Sequence, residues 1–201
     1  MKLSYKIENY SVIILAAGRS SRLGQAKQLL AYKGKMLLQH AIDSARQVHP
    51  QQLIVVLGAN KELILNHIEL QEGSVVENPK WESGIASSIK TGLKALNSTY
   101  PAADGVILMV CDQPFADSTI LQKLIDAQKA TGKAIIGCSY DGAYGTPALF
   151  HSSFFPDLLK LTGDSGAKKL FEKYQSQSFF VSFDKGGIDI DTSDDYQKLP
   201  K

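Results

Sequence analysis

The sequence predicts an α/β protein, a single three-layer α/β/α domain over residues 1–201 with a mostly parallel sheet. Three observations predict it. Short, continuously apolar runs bounded by turn residues alternate with segments of helical period, the pattern of strands covered on both faces. A length of 201 residues suits one domain. Composition agrees, because 44% hydrophobic residues against 21% charged provide a core that a disordered tail, a coiled coil or a disulfide-stapled miniprotein lacks.

Each element follows in order. Val12 to Ala16 reads as a buried strand, followed by a glycine-containing loop. A helix from Leu38 carries Ala41, Ile42, Ala45 and Val48 on one face. Leu53 to Leu57 is a second strand ended by Gly58, and Leu63, Ile64, His67 and Ile68 mark a short helix. Val75-Val76 is a brief third strand. Ser83 is placed to cap a helix whose apolar side is Ile85, Ile89, Leu93 and Leu96. Val106 to Val110 is the fourth strand, and Asp117 or Ser118 caps the helix of Ile120, Leu121, Leu124 and Ile125. Ala134 to Cys138 is another strand. The remainder is mixed: Pro147 to Phe150, two short helices and a polar-aromatic strand Phe179 to Phe183.

Charge and cysteine content narrow the function classes. With 22 basic and 20 acidic residues the formal net charge is +2, without the basic excess or stripe of a phosphate-neutralising nucleic-acid binder. No apolar run approaches the ~18–20 residues of a membrane span. The polar lead before Val12 lacks the shape of a cleaved export signal, so the expected location is the cytoplasm. Cys111 and Cys138 form no CxxC pair and fit a reduced interior. The histidines show no ligand spacing, and no GxSxG or Cys–His nucleophile arrangement stands out.

Ligands of parallel sheets bind at the carboxyl ends of strands, near a reversal of strand order. The loop after the first strand runs L-A-A-G-R-S-S-R-L-G-Q-A-K-Q-L-L from Leu15 to Leu30. Gly18 and Gly24 fit neither GxGxxG nor Walker A spacing. Glycines let amides turn toward an anion, Ser20 and Ser21 add hydroxyls, and Arg19, Arg22 and Lys27 bring three cations within nine residues. Any one of these residues fits a solvated basic loop; together, at a strand's end, they point to polyphosphate. After the fourth strand comes Cys111-Asp112-Gln113-Pro114, where Asp112 either caps the turn or offers a carboxylate to a hard cation such as Mg²⁺.

The first loop resembles the LAAGxSxRxGxxK signature of the molybdenum cofactor nucleotidyltransferases, within the wider nucleotidyltransferases of the sugar-nucleotide type. Further elements resemble the same family in order: NPxWxxGxxxS at Asn78–Ser88, CDQP at Cys111–Pro114, GxPALF at Gly145–Phe150, GDxGA at Gly163–Ala167 and DIDTSDDY at Asp189–Tyr196. Together they span about Ser11 to Tyr196. The resemblance implies a Rossmann-like nucleotidyltransferase fold and transfer of a nucleoside monophosphate, from CTP on the strength of Ala16-Ala17, to the terminal phosphate of molybdopterin. Pyrophosphate is released. It implies catalytic roles for Arg22, Lys27 and Asp112. Nucleotide contacts fall to Leu15, Ala16, Ala17, Gly18, Ser20, Arg22, Gly24, Lys27, Asn78, Gly84 and Ser88. Mg²⁺ is assigned to Asp112 and Asp189, with Asp191 on the same face of an extended segment. Trp81 fits either packing or stacking, and Asp164 either acceptor binding or a helix cap. Thr146 stands where many cytidylyl members carry histidine. Two further readings stand beside this one: a cytidylyl- or uridylyltransferase acting on a sugar or polyol phosphate, and a non-catalytic nucleotide-binding chaperone for a molybdoenzyme. A client molybdoenzyme or its chaperone is a further expected partner.

Overall fold

Neighbouring residues of the first strand end in different cores. Val12, Ile13 and Ile14 are fully buried, yet Val12 and Ile14 join one apolar cluster and Ile13 and Leu15 the other. That is the pleat at work: successive side chains leave on opposite faces, and here both faces are covered. The structure is a computed structural model that describes residues 4–200.

The elements are β1 (Tyr10–Leu15), β2 (Ala31–Tyr32), β3 (Lys35–Met36), α1 (Leu37–Arg46), β4 (Leu53–Leu57), α2 (Lys61–Leu65), β5 (Ser74–Glu77), α3 (Ile85–Thr99), β6 (Gly105–Val110), α4 (Ser118–Thr131), β7 (Ile135–Tyr140), β8 (Ala143–His151), α5 (Phe155–Leu158), α6 (Lys168–Lys173), β9 (Ser178–Ser182) and α7 (Ser193–Gln197). Seven strands form one sheet in the order β5-β4-β1-β6-β8-β7-β9. All pairings are parallel except those of β8 with β6 and β7. Helices α1 and α4 cover one face through Leu38, Ile42, Leu121 and Leu124. Helix α3 covers the other through Ile89, Leu93 and Leu96, joined by Leu158 and Phe171. The three-layer α/β fold with a mostly parallel sheet is therefore the one predicted.

From β1 the chain moves outward to β4 and β5, then returns to β6 on the other side of β1. This reversal opens a crevice beyond the carboxyl ends of β1 and β6. The last residues of the two strands, Leu15 and Val110, are paired in register, so the segments that follow them start side by side.

Three local details differ from expectation. Ser83 does not cap α3; it ends a 3-10 turn, Trp81–Ser83, and the cap position belongs to Gly84 at φ 90°. The hairpin of β2 and β3 lies between predicted elements because two-residue strands carry no periodicity. Strand β8 starts four residues before Pro147, in a stretch that is only partly buried and is held as strand by its antiparallel pairing with β7. Asp117 does cap α4, accepting from the Ile120 amide at 3.2 Å.

Candidate active site

The loop after β1 is shaped from within. Buried Gln28 donates through Nε2 to the carbonyls of Ala16 at 2.7 Å and Gly18 at 3.0 Å. Ser20 takes a left-handed conformation (φ 60°), and its hydroxyl accepts from the Lys27 amide at 3.1 Å. Leu23, inside the loop, is anchored in a small apolar cluster with Leu30, Tyr32, Leu37, Ile190 and Leu199. Among the described residues, the amides of Ala17 to Ser21 donate to no protein acceptor. A run of unpaired amides on a turned backbone is a concavity suited to an anion.

Charged side chains from three distant segments meet beside this loop. Lys27 Nζ lies 2.5 Å from Asp112 Oδ2 and 2.8 Å from Asp191 Oδ1. Arg22 takes the other oxygen of Asp191 at 2.8 Å. Burial opposes the charge on Lys27, but the two carboxylates outweigh it and raise its pKa above the ordinary lysine value. The Lys27 hydrogen bond holds Asp191 below the usual carboxylate range, assisted by Arg22. Asp189 is pushed the other way, up to about 6, by burial and then by the charges of Asp112 and Asp191.

The acids are fixed by backbone pairing and packing. The amide of Ile190 donates to the Asp112 carbonyl at 2.9 Å, and the Ile190 side chain is fully buried in the small cluster. Alternation then leaves Asp189 and Asp191 on the side away from that cluster. Buried Gln113 donates to the Gly186 carbonyl at 2.7 Å and accepts from Thr146 at 3.2 Å, which ties β8 and the late segment to the end of β6. Thr192 and Asp195 form a reciprocal capping box that starts α7 just beyond Asp191.

Three carboxylates lie near one another here, two of them paired with Lys27 and the third, Asp189, with a raised pKa; carboxylate oxygens are the ligand type a hard divalent cation takes. Among the described residues, no three His, Cys, Asp or Glu side chains are arranged as a complete metal-binding group. Protein side chains alone would therefore leave a cation here under-coordinated, and phosphate and water would have to complete its shell.

The cleft between the β1 loop, the Cys111–Asp112 turn and the start of α3 encloses about 350 Å³. Of the residues named from sequence, Leu15, Ala16, Ala17, Gly18, Ser20, Lys27, Gly84, Ser88 and Asp112 line it. Four do not. Arg22 stands outside on Asp191, and Gly24 (φ 69°) shapes the outer loop with open space around it. Asp189 stands beside Asp112 rather than on the cleft wall. Asn78 is buried, and its amide nitrogen donates to the hydroxyls of Ser87 at 2.7 Å and Ser88 at 3.0 Å. Its Oδ1 accepts from the Lys80 amide, so Asn78 braces the entry of α3 instead of facing a ligand.

Sequence reasoning did not single out Gln28 and Glu82, yet both line the cleft, as do Arg19, read only as one cation of the loop, and Asp164, read as an acceptor contact or a helix cap. The only signal for Gln28 was its place beside Lys27. A Cβ on Gly84 would lie 2.4 Å from the Gly163 carbonyl, which is why a glycine joins these two loops. Trp81 packs against Gly58, where an added Cβ would meet its own at 2.7 Å, and also borders the cleft. Cys111 is buried with its thiol pushed up to about 12, chiefly by burial, and lacks the character of a nucleophile.

Comparison with known proteins adds identity to this geometry. The profile of the MobA-like NTP transferase domain matches residues 12–178. The crystal structure of Rv0371c from Mycobacterium tuberculosis H37Rv is 33% identical, with a TM-score of 0.82 over 96% of this chain and 98% of that one. A complex of Rv0371c with manganese superposes with a TM-score of 0.77 at 31% identity, over the same shares of the two chains. The purine catabolism protein PucB of Bacillus subtilis (strain 168) is 27% identical over 198 residues, 93% of this chain and 94% of its own. The nicotine blue oxidoreductase of Paenarthrobacter nicotinovorans is 25% identical over the same shares. No helix among the described residues is long and apolar enough to cross a membrane.

Proposed function

The chain belongs to the MobA-like NTP transferase family, and we propose that this nucleotidyltransferase moves CMP from CTP onto the terminal phosphate of molybdopterin or its molybdenum form. A phosphate oxygen of the acceptor attacks the α-phosphorus in line. The bond from that phosphorus to the oxygen bridging the α- and β-phosphates breaks, and pyrophosphate leaves. Such a reaction asks the protein for positioning and charge neutralisation rather than a covalent group.

The observation that carries this reading is the Lys27 ammonium at the cleft, set between Asp112 and Asp191 where β1 and β6 end. The unpaired amides of residues 17–21 receive the β- and γ-phosphates, with Arg19 beside them. Lys27 neutralises charge developing on the leaving oxygen. Arg22 sits in an exposed pair with Asp191. Exposed pairs of this kind contribute little, so Arg22 is free to turn onto an incoming phosphate. Asp112 and Asp189 would hold a divalent cation, Mg²⁺ by this assignment, and the cation would supply Lewis-acid neutralisation of phosphate charge. The manganese complex of Rv0371c supports divalent-metal use in a relative.

CTP and the pterin acceptor rest on the sequence elements rather than on the cleft. One relative is named for purine catabolism and another as a nicotine blue oxidoreductase, so the acceptor has to be tested directly. The test is pyrophosphate release from CTP, GTP and UTP with Mg²⁺, with and without molybdopterin. Release from CTP that depends on molybdopterin supports the reading. Release with a sugar or polyol phosphate in its place overturns the acceptor. Binding without release leaves a non-catalytic carrier for a molybdoenzyme, and overturns the transfer.

A further inference from the structure

Among the described residues, Gln28 is the one buried polar side chain that borders the cleft and bonds to the backbone of the β1 loop itself. It is only 1% exposed. Its Nε2 has both hydrogens directed at loop carbonyls, Ala16 at 2.7 Å and Gly18 at 3.0 Å. In a trans peptide the carbonyl and the following amide point in opposite directions. Holding the carbonyls of residues 16 and 18 toward Gln28 therefore turns the amides of Ala17 and Arg19 away from it. Those two amides belong to the run that has no protein acceptor.

The second half of the side chain is unusual. Gln28 Oε1 is buried and has no hydrogen-bond partner. Buried polar atoms are nearly always paired, and an apolar residue of the same shape would leave no such orphan. A glutamine here is therefore poorly explained by packing alone, and well explained by the two carbonyls it holds.

We propose that Gln28 is a positioning residue for the nucleoside triphosphate: its amide fixes the peptide planes of the β1 loop so that loop amides face phosphate before the ligand arrives. The inference rests on the reading of this cleft as a triphosphate site. It adds a residue that touches neither the metal nor the reacting atoms. Preorganised donors act without reorganisation when the ligand binds, so their loss is felt first in triphosphate affinity.

The test compares the wild-type protein with Gln28→Met, which keeps volume without polarity, and Gln28→Glu, which keeps the shape but loses the donor. The dissociation constant for CTP is measured by titration calorimetry with Mg²⁺, beside KM for CTP and for the acceptor. Both variants are expected to bind CTP at least tenfold more weakly, with KM for CTP rising in step and KM for the acceptor unchanged. A merely structural loss would lower the active fraction, and hence kcat, without this split. CTP affinity within twofold of wild type in either variant overturns the proposal. A wild-type protein that binds no nucleoside triphosphate fails the underlying reading instead, and the two failures are thereby distinct. One measurement needs no variant. In wild-type protein the Gln28 side-chain amide protons should exchange slowly and shift when CTP is added; a signal that exchanges freely overturns the clamp.

Discussion

The ammonium of Lys27 and the carboxylate of Asp112 lie 2.5 Å apart although 85 positions separate them in the chain. The contact joins the end of the first loop to the end of β6 and leaves both side chains mostly buried. Breaking a contact of this kind from one side leaves the other charge uncompensated.

Lys27→Met should therefore show two effects. Pyrophosphate release should fall about 10²–10³-fold, the scale on which one preorganised charge-stabilising donor acts. The melting temperature should fall as well, because Asp112 and Asp191 then face each other without a cation. Turnover within threefold of wild type would remove Lys27 from catalysis.

The metal assignment separates Asp189 from Asp191. Asp191 is already engaged by Lys27 and Arg22, whereas Asp189 faces two other carboxylates with its pKa raised to about 6. Mn²⁺ titration followed by electron paramagnetic resonance, with nucleotide present, should show binding lost in Asp112→Asn and weakened in Asp189→Asn. In Asp191→Asn binding should be retained. Strong loss only in Asp191→Asn would move the ligand by two residues. Chelation by EDTA should stop turnover, and added Mg²⁺ should restore it.

Asn78 is expected to matter for stability more than for binding. Asn78→Ala removes the donor to Ser87 and Ser88 and the acceptor of the Lys80 amide in a buried place. Leaving such groups unpaired costs about 1–3 kcal/mol, and each kcal/mol lowers the melting temperature of a domain this size by about 2–4 °C. Thermal unfolding measures the loss, and CTP affinity should change less than threefold.

His151 gives the protein a predictable acid response. Burial holds its pKa below the ordinary histidine value, and the nearby charge of Asp104 offsets this only in part. Its Nδ1 accepts from the Ser153 amide at 3.1 Å, a bond that the protonated ring cannot make. The unfolded chain therefore binds the proton more readily than the folded one. Stability from this group is present above the unfolded pKa and declines as pH falls through the ordinary histidine range. Urea unfolding at pH 7.5 and pH 5.5 should show a smaller acid loss in His151→Gln than in wild type. An equal loss in both would assign the acid response to other groups.

Much of the fold was legible because its signal is local. The buried runs at Val12–Ala16, Leu53–Leu57 and Val106–Val110 and the apolar face of Ile85, Ile89, Leu93 and Leu96 reveal themselves within a few residues. The two-residue strands of the β2–β3 hairpin are too short to show any period. At the site, Lys27 and Asp112 were legible as residues of unusual type just past buried strands, and the structure sets them in contact. Asn78 carried the same kind of signal, yet its amide is spent on Ser87, Ser88 and Lys80. Residue type at a strand end reports proximity to an edge, not the direction of a side chain.

The sequence by itself determined the three layers, the strands and the loops that bear the chemistry, because burial on both faces writes a one-dimensional pattern into the chain. Only the tertiary structure decided the partners. Lys27 meets Asp191 across 164 positions, Arg22 lies outside the cleft while Arg19 lines it, and Gln28 holds the loop from behind. Those contacts exist because the strand order reverses between β1 and β6, bringing segments far apart in sequence to one edge of the sheet. No periodicity along the chain encodes which side chain then turns inward.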